Sequence, residues 1–186
     1  MARLIASAIA SLDGYTVDAA GSFDWAAPAE DLHRFVNDLE RPIGTYLYGR
    51  RMYETMRFWG TQAATDDPSA VIREYAAVWQ AADKVVYSST LDEPSTPSTR
   101  IVRSFDAAEV RALVDAADRD VSVGGSTLAG EAMRAGLVDE IHLFAVPVVV
   151  GGGTAFFPVG LRMELELIAT DRFPDGAVHL HYRVMS

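Results

Sequence analysis

Gly124 and Gly125 stand between the short apolar run Asp120-Val121-Ser122-Val123 and the helix start Ser126-Thr127-Leu128. Glycines let a backbone come close to a ligand, and the unpaired N–H groups of a new helix point at an anion, so this stretch suits a phosphate. A second anion-type segment is Gly49-Arg50-Arg51-Met52-Tyr53-Glu54. Two arginines in a first helical turn oppose the helix macrodipole, at a cost of about 0.3–1 kcal/mol per misplaced charge, and a bound phosphate reverses that sign. Pairing with acidic neighbours would do the same. The third segment, Ser88-Ser89-Thr90, follows an apolar run, where hydroxyls suit a ribose or phosphate and also suit an ordinary turn.

Carboxylates form the other chemical group. Asp13 sits in the turn Ser11-Leu12-Asp13-Gly14, and Glu30 and Asp31 open a helix after Pro28. Two acidic residues at a helix start are equally natural partners of the dipole. His33, His142, His179 and His181 are expected to be structural. His179 and His181 share a strand face, yet no third ligand lies nearby in sequence, and no metal is expected.

These groups need elements to position them. Residues 3–10 read as a buried strand, and Leu32, Phe35, Val36 and Leu39 recur at helical spacing. A strand over Thr45–Tyr48 leads into a helix from Arg50 to about Arg57. Asp66-Asp67-Pro68-Ser69 opens a helix with Val71, Ile72, Tyr75, Val78 and Trp79 on one face. Strands follow at Lys84–Ser88 and Arg100–Arg103, separated by a loop over 92–99. Asp106 with Glu109 resembles a capping pair ahead of Val110, Leu113, Val114 and Ala117. Residues 140–150 are almost continuously apolar, as in a strand covered on both faces. Apolar residues alternate over 163–169 and 178–184, and Pro174-Asp175-Gly176 supplies the turn of an antiparallel hairpin. The order predicts one α/β domain over residues 1–186 with a mixed, mostly parallel sheet. In such a sheet the three phosphate-type turns share one rim.

Composition narrows the function classes. The net charge of −10, from 26 acidic and 16 basic residues, argues against broad nucleic-acid or anionic-membrane binding. With no cysteine, disulfides, thiolate nucleophiles and cysteine-bound zinc are excluded. The apolar start meets Asp13 too soon for a membrane span, so a cytoplasmic protein is expected.

Taken in chain order, the segments resemble the dihydrofolate reductase-like family, and within it the riboflavin-biosynthesis reductase (RibD C-terminal domain) branch, as a stand-alone member. The residues that carry the resemblance are Ser11–Gly14, Gly49–Glu54, Ser88-Ser89, Gly124–Leu128 followed by Gly136–Glu140, Pro147–Gly153 and Thr154–Pro158. The resemblance implies a three-layer fold, common dimerisation, and an NADPH-dependent hydride transfer to a pyrimidine- or pterin-type substrate. On that likeness the backbone at Ala8 and Ile9 would face the nicotinamide. Gly49, Arg50, Arg51 and Met52 would hold phosphate, and Ser88, Ser89 and Thr90 would meet the adenosine end and its 2′-phosphate. Gly124, Gly125, Ser126, Thr127 and Leu128 would wrap the pyrophosphate. Trp25 and Phe35 would line the substrate side, with Asp13, Glu30 or Asp31 as the working carboxylate. Counting from Trp25 and Pro28 favours Glu30, and counting from Leu32 and Phe35 favours Asp31. The reaction implied is reduction of the ribosyl group of 5-amino-6-(5-phosphoribosylamino)uracil, without the deaminase that often precedes this domain. Folate reduction and a non-catalytic, dimeric nucleotide sensor are the alternatives.

Overall fold

The alternation in the strands sorts side chains onto two faces. Leu4, Ala6, Leu47, Val85, Val121 and Val123 pack on one side with Val110, Val114, Leu128, Ala129 and Met133. Ile5, Tyr46, Tyr48 and Val86 pack on the other with Tyr75 and Trp79. Each fully buried large apolar side chain contributes about 1.5–3 kcal/mol, so both layers are held by the same force. The computed structural model describes residues 1–185, with Ser186 outside them.

The strands are β1 (Leu4–Ser11), β2 (Tyr15–Asp18), β3 (Ile43–Gly49), β4 (Asp83–Tyr87), β5 (Thr99–Val102), β6 (Asp120–Gly124), β7 (Glu140–Val146), β8 (Gly153–Ala155), β9 (Leu165–Arg172) and β10 (Val178–Val184). The helices are α1 (Glu30–Glu40), α2 (Arg50–Met56), α3 (Gln62–Thr65), α4 (Ala70–Ala81), α5 (Ala107–Asp115) and α6 (Ser126–Arg134). Eight strands form one sheet in the order β5-β4-β3-β6-β1-β7-β10-β9. β5, β4, β3, β6, β1 and β7 run parallel, and β10 and β9 close the sheet antiparallel. Helices α1 and α4 cover one face and α5 and α6 the other, which gives the mixed sheet the pattern predicted and the three layers the family resemblance implied.

Asp106 accepts hydrogen bonds from the amides of Ala108 and Glu109, so the expected cap of α5 is present. Two features differ from the sequence reading. β7 ends at Val146, because Pro147 brings no N–H to continue the ladder. β2 and β8 also pair antiparallel as a separate ribbon, too short to leave a periodic signal. A Cβ on Gly153 would lie 2.0 Å from the Val17 carbonyl oxygen, so the ribbon closes only with glycine there. No helix among the described residues is long and apolar enough to cross a membrane.

The topology places a crevice. From β1 the chain crosses toward β3, and from β6 it crosses the other way to β7, although β1 and β6 are neighbours. Ligands of open α/β sheets bind outside the carboxyl ends at such a switch point. The β1–β6 ladder stops at Ala6 and Val123, whereas the β1–β7 ladder continues to Ser11 and Val146. The sheet therefore forks beside Ala8 and Ile9, directly ahead of Gly124.

Candidate active site

The carboxyl ends of β4, β3 and β6 lie flush, with Gly49 opposite Tyr87 and Tyr48 opposite Gly124. The turns at Gly49, Ser88 and Gly124 thus share one rim, as the sequence predicted. A Cβ on Gly124 would stand 2.9 Å from Tyr48 Cε1, and one on Gly125 would stand 3.1 Å from Met52 Cβ. Gly125 also has φ +91°, which side-chain-bearing residues rarely adopt. No side chain caps the start of α2 or α6, so the first-turn amides of both helices remain for a ligand.

Around this backbone cradle the predicted side chains divide. Arg50 donates from Nε to Glu54 Oε1 at 2.8 Å and from Nη1 to Thr90 Oγ1 at 2.6 Å, joining α2 to the loop after β4. The Arg50 hydrogen bond holds the Glu54 carboxyl below its usual range. Arg51 is exposed, and no ion pair to it is found among the described residues. Met52 packs under the glycine turn, so it can offer a ligand only its backbone. Ser88 is buried, and its Oγ accepts from the amides of Thr90 and Leu91 at 3.3 and 3.0 Å. It shapes the turn and leaves Ser89 and Thr90 exposed, with Thr90 held by Arg50.

Ser126 Oγ lies 3.0 Å from Thr16 Oγ1, tying the start of α6 to the β2–β8 ribbon. Thr127 is exposed at the helix start, and Leu128 is buried in the core, which restricts it to a backbone role. Ala8 and Ile9 are half-buried at the fork. Arg103, which the sequence reading took only as the end of a strand, donates to the carbonyls of Ser88 and Leu91 and so clamps the same loop. Thr16 was missed because nothing in the sequence marked β2.

Trp25 and Phe35, the predicted substrate-side residues, both pack against one apolar cluster. They pack with Ile9, Leu32 and Phe144 beside the fork, and the Phe35 ring is 6.0 Å from that of Phe144. The predicted carboxylates are not brought there. Glu30 and Asp31 are mostly exposed and pair with Arg34 at 2.6 and 3.3 Å, because the buried face of α1 belongs to Leu32, His33 and Asn37. They serve the helix start rather than a pocket. Asp13 accepts from the amides of Gly151 at 2.8 Å and Val150 at 3.2 Å. The Ser11 hydroxyl, joined by these amides, keeps the Asp13 carboxyl below its usual range. An ionised, occupied carboxylate is a poor proton donor, and Asp13 instead anchors the 147–152 loop to β1.

The histidines, expected to be structural with only His179 and His181 sharing a face, are grouped more closely than the sequence indicated. His142, His179 and His181 stack in one group with Glu140, on the α1 face of β7 and β10. Burial, with His181 and His179 alongside, pushes His142 down to about 3, and burial also lowers His179. A hollow of about 520 Å³ lined by Met1, Pro42 and Arg119 lies at the opposite, amino-terminal end of the sheet, where no reactive groups converge.

With this geometry in place, comparison with known proteins is informative. The RibD C-terminal domain family matches residues 2–179. The uncharacterised protein YyaP of Bacillus subtilis (strain 168) is 29% identical over 182 residues, covering 97% of this chain and 94% of YyaP. A structure from Shewanella sp. PV-4, named for riboflavin biosynthesis, superposes with a TM-score of 0.76 at 19% identity, covering 99% of each chain. Dihydrofolate reductase of Enterococcus faecalis, complexed with NADP(H) and RAB-propyl, gives 0.64 at 17% identity, covering 99% of this chain and 97% of its own. The architecture is that of the dihydrofolate reductase-like fold.

Proposed function

Because the chain belongs to the RibD C-terminal domain family, we propose that it is an NADPH-dependent reductase of a pyrimidine-type heterocycle, acting as a single reductase domain. The observation that carries this reading is the forked rim: three turns from separate strands end flush, and the split between β1 and β6 opens beside them. The glycine turn suits a pyrophosphate through its bare backbone, which packs so closely on Tyr48 and Met52 that a Cβ at Gly124 or Gly125 would push it out of place. When bound, NADPH would supply the hydride.

The residues have separable tasks. First-turn amides of α6 and the Gly124–Gly125 turn would take the pyrophosphate, and Arg51, with Ser89 and Thr90, would take the 2′-phosphate. The backbone of Ala8 and Ile9, released from β6 at the fork, would orient the reacting ring. Trp25, Phe35 and Phe144 would seat the acceptor and exclude water. No predicted carboxylate reaches that wall, so the proton that completes the reduction would come from solvent.

This absence favours reduction of the ribosyl group of 5-amino-6-(5-phosphoribosylamino)uracil over folate reduction, for which Glu30 or Asp31 was the expected ring anchor. A homodimer belongs to the same reading. β9 is an exposed edge strand carrying Leu167 and Ile168, 52% and 40% exposed, and such an edge is commonly covered. A cytoplasmic setting is also part of it, where a nicotinamide pool is at hand.

NADPH binding, followed by fluorescence, and oxidation, followed by loss of reduced-nicotinamide absorbance, test the reading. We expect saturable binding, turnover with the ribosylaminouracil phosphate, and about tenfold weaker NADPH affinity in Arg51→Gln with NADH affinity unchanged. Binding without oxidation of any heterocycle would favour the sensor. No binding at all would remove the nucleotide site.

A further inference from the structure

Glu140 and His142 are two residues apart on β7, and His181 lies opposite His142 on β10, so all three side chains share the α1 face. Their potential ligand atoms lie within 4.8 Å of one another. Glu140 Oε2 is 3.0 Å from His181 Nε2 and 3.9 Å from His142 Nε2. An ion held at about 2.0–2.1 Å by two imidazoles and a carboxylate in tetrahedral geometry separates its ligand atoms by roughly 3.4 Å, so only small rotations are needed.

The outer contacts of such a centre are already built. Asp171 Oδ2 lies 3.0 Å from His179 Nδ1, and His179 Nε2 lies 2.9 Å from His142 Nδ1. A carboxylate only accepts, so His179 carries its proton on Nδ1, and its bare Nε2 accepts from His142 Nδ1–H. That direction leaves the lone pair of His142 on Nε2, the atom beside Glu140. A ligating histidine whose second nitrogen donates toward a carboxylate is the usual support of a bound metal. Glu140 is supported in turn, since Arg3 donates to its Oε1 at 2.9 Å and also holds Asp120. The Arg3 guanidinium is thus shared between two carboxylates, Asp120 and Glu140.

We propose that Glu140, His142 and His181 form a binding site for a divalent transition ion, zinc by its ligand set, which pins β10 to β7. The ion takes the place of the proton between His181 Nε2 and Glu140 Oε2, and His181 then carries its proton on Nδ1. His181 is the most exposed of the three, with 19% of its side chain accessible, and it offers the entry path. The site is separate from the rim, and zinc binding there can be lost while NADPH binding persists.

The full chain, stripped with a chelator and dialysed, is titrated with zinc sulfate alone by calorimetry. We expect one equivalent bound and a rise in the unfolding temperature, with cobalt(II) giving the visible absorption of a tetrahedral centre. His181→Ala should weaken zinc at least a hundredfold. Asp171→Asn, whose side chain is 45% exposed and touches no ion, should weaken it about tenfold, even if His181→Ala folds poorly. Absence of a stoichiometric equivalent, equal affinity for magnesium, or unchanged zinc affinity in Asp171→Asn would overturn the proposal.

Discussion

The rim and the α1 face of the sheet treat ionisable groups in opposite ways. At the rim, Asp13 and Glu54 are held below their usual range by hydrogen bonds from hydroxyl, amide and guanidinium donors, so charge is favoured. On the α1 face, burial pushes Glu40 up to about 7, His142 down to about 3 and Lys84 below its usual range, so neutrality is favoured in each case. Hydrogen bonding to the ionised form dominates where water remains, and desolvation dominates where it has gone. One region therefore tolerates charge and presents mostly backbone. The other stores side-chain donors and acceptors under an apolar cover.

The strongest way to break this contrast is to push the glycine turn off its seat. Gly124→Val puts branched carbon against the Tyr48 ring and Met52. We expect NADPH affinity to fall by more than a hundredfold in equilibrium titration while the circular dichroism stays native. A modest loss would mean that the turn is not the ligand contact. A smaller effect sharpens the other half. Glu40 is buried, and its Oε2 finds no hydrogen-bond partner among the described residues. Its folded pKa is raised, so the folded state holds its proton longer than the unfolded state does. Stability should fall as pH rises from the ordinary carboxyl range to about 7, and level off above. Glu40→Gln should be more stable than the parent at pH 8 by about 2–3 kcal/mol and equal to it near pH 4.5, in urea titrations at both values. Parallel pH profiles for the two proteins would show that Glu40 is not desolvated. The least effect belongs to the exposed helix start: Glu30→Gln with Asp31→Asn should change turnover less than twofold and stability by under about 1 kcal/mol. A large loss of turnover would restore one of them as the working acid.

What could be read from the chain follows the same division. The rim was legible because its parts are contiguous: a strand, a glycine pair and a helix start occupy nine neighbouring residues at 120–128, and parallel strands must share an edge. The direction of side chains was not. Ser88 counted as a ligand group until its hydroxyl was found closing its own turn, and Asp31 kept its helical position while facing water. The histidine cluster was hidden because His142 and His181 become partners only through the antiparallel register of β10 on β7. Spacing along β10 showed two imidazoles, His179 and His181, whereas His142 and the Glu140 carboxylate come from the neighbouring strand β7. Local pattern reports what a backbone segment can do; pairing between distant strands decides which side chains meet.

The fork between β1 and β6 also has a bearing on how such proteins diverge. On the proposed reading the nucleotide half would be drawn from residues on β3, β4 and β6, and the acceptor half from Trp25, α1 and β7, with the split strand as their shared border. Changes to Phe35 or Phe144 would then reshape what is reduced without disturbing the donor's seat. Relatives built on this plan are free to exchange substrates one wall at a time.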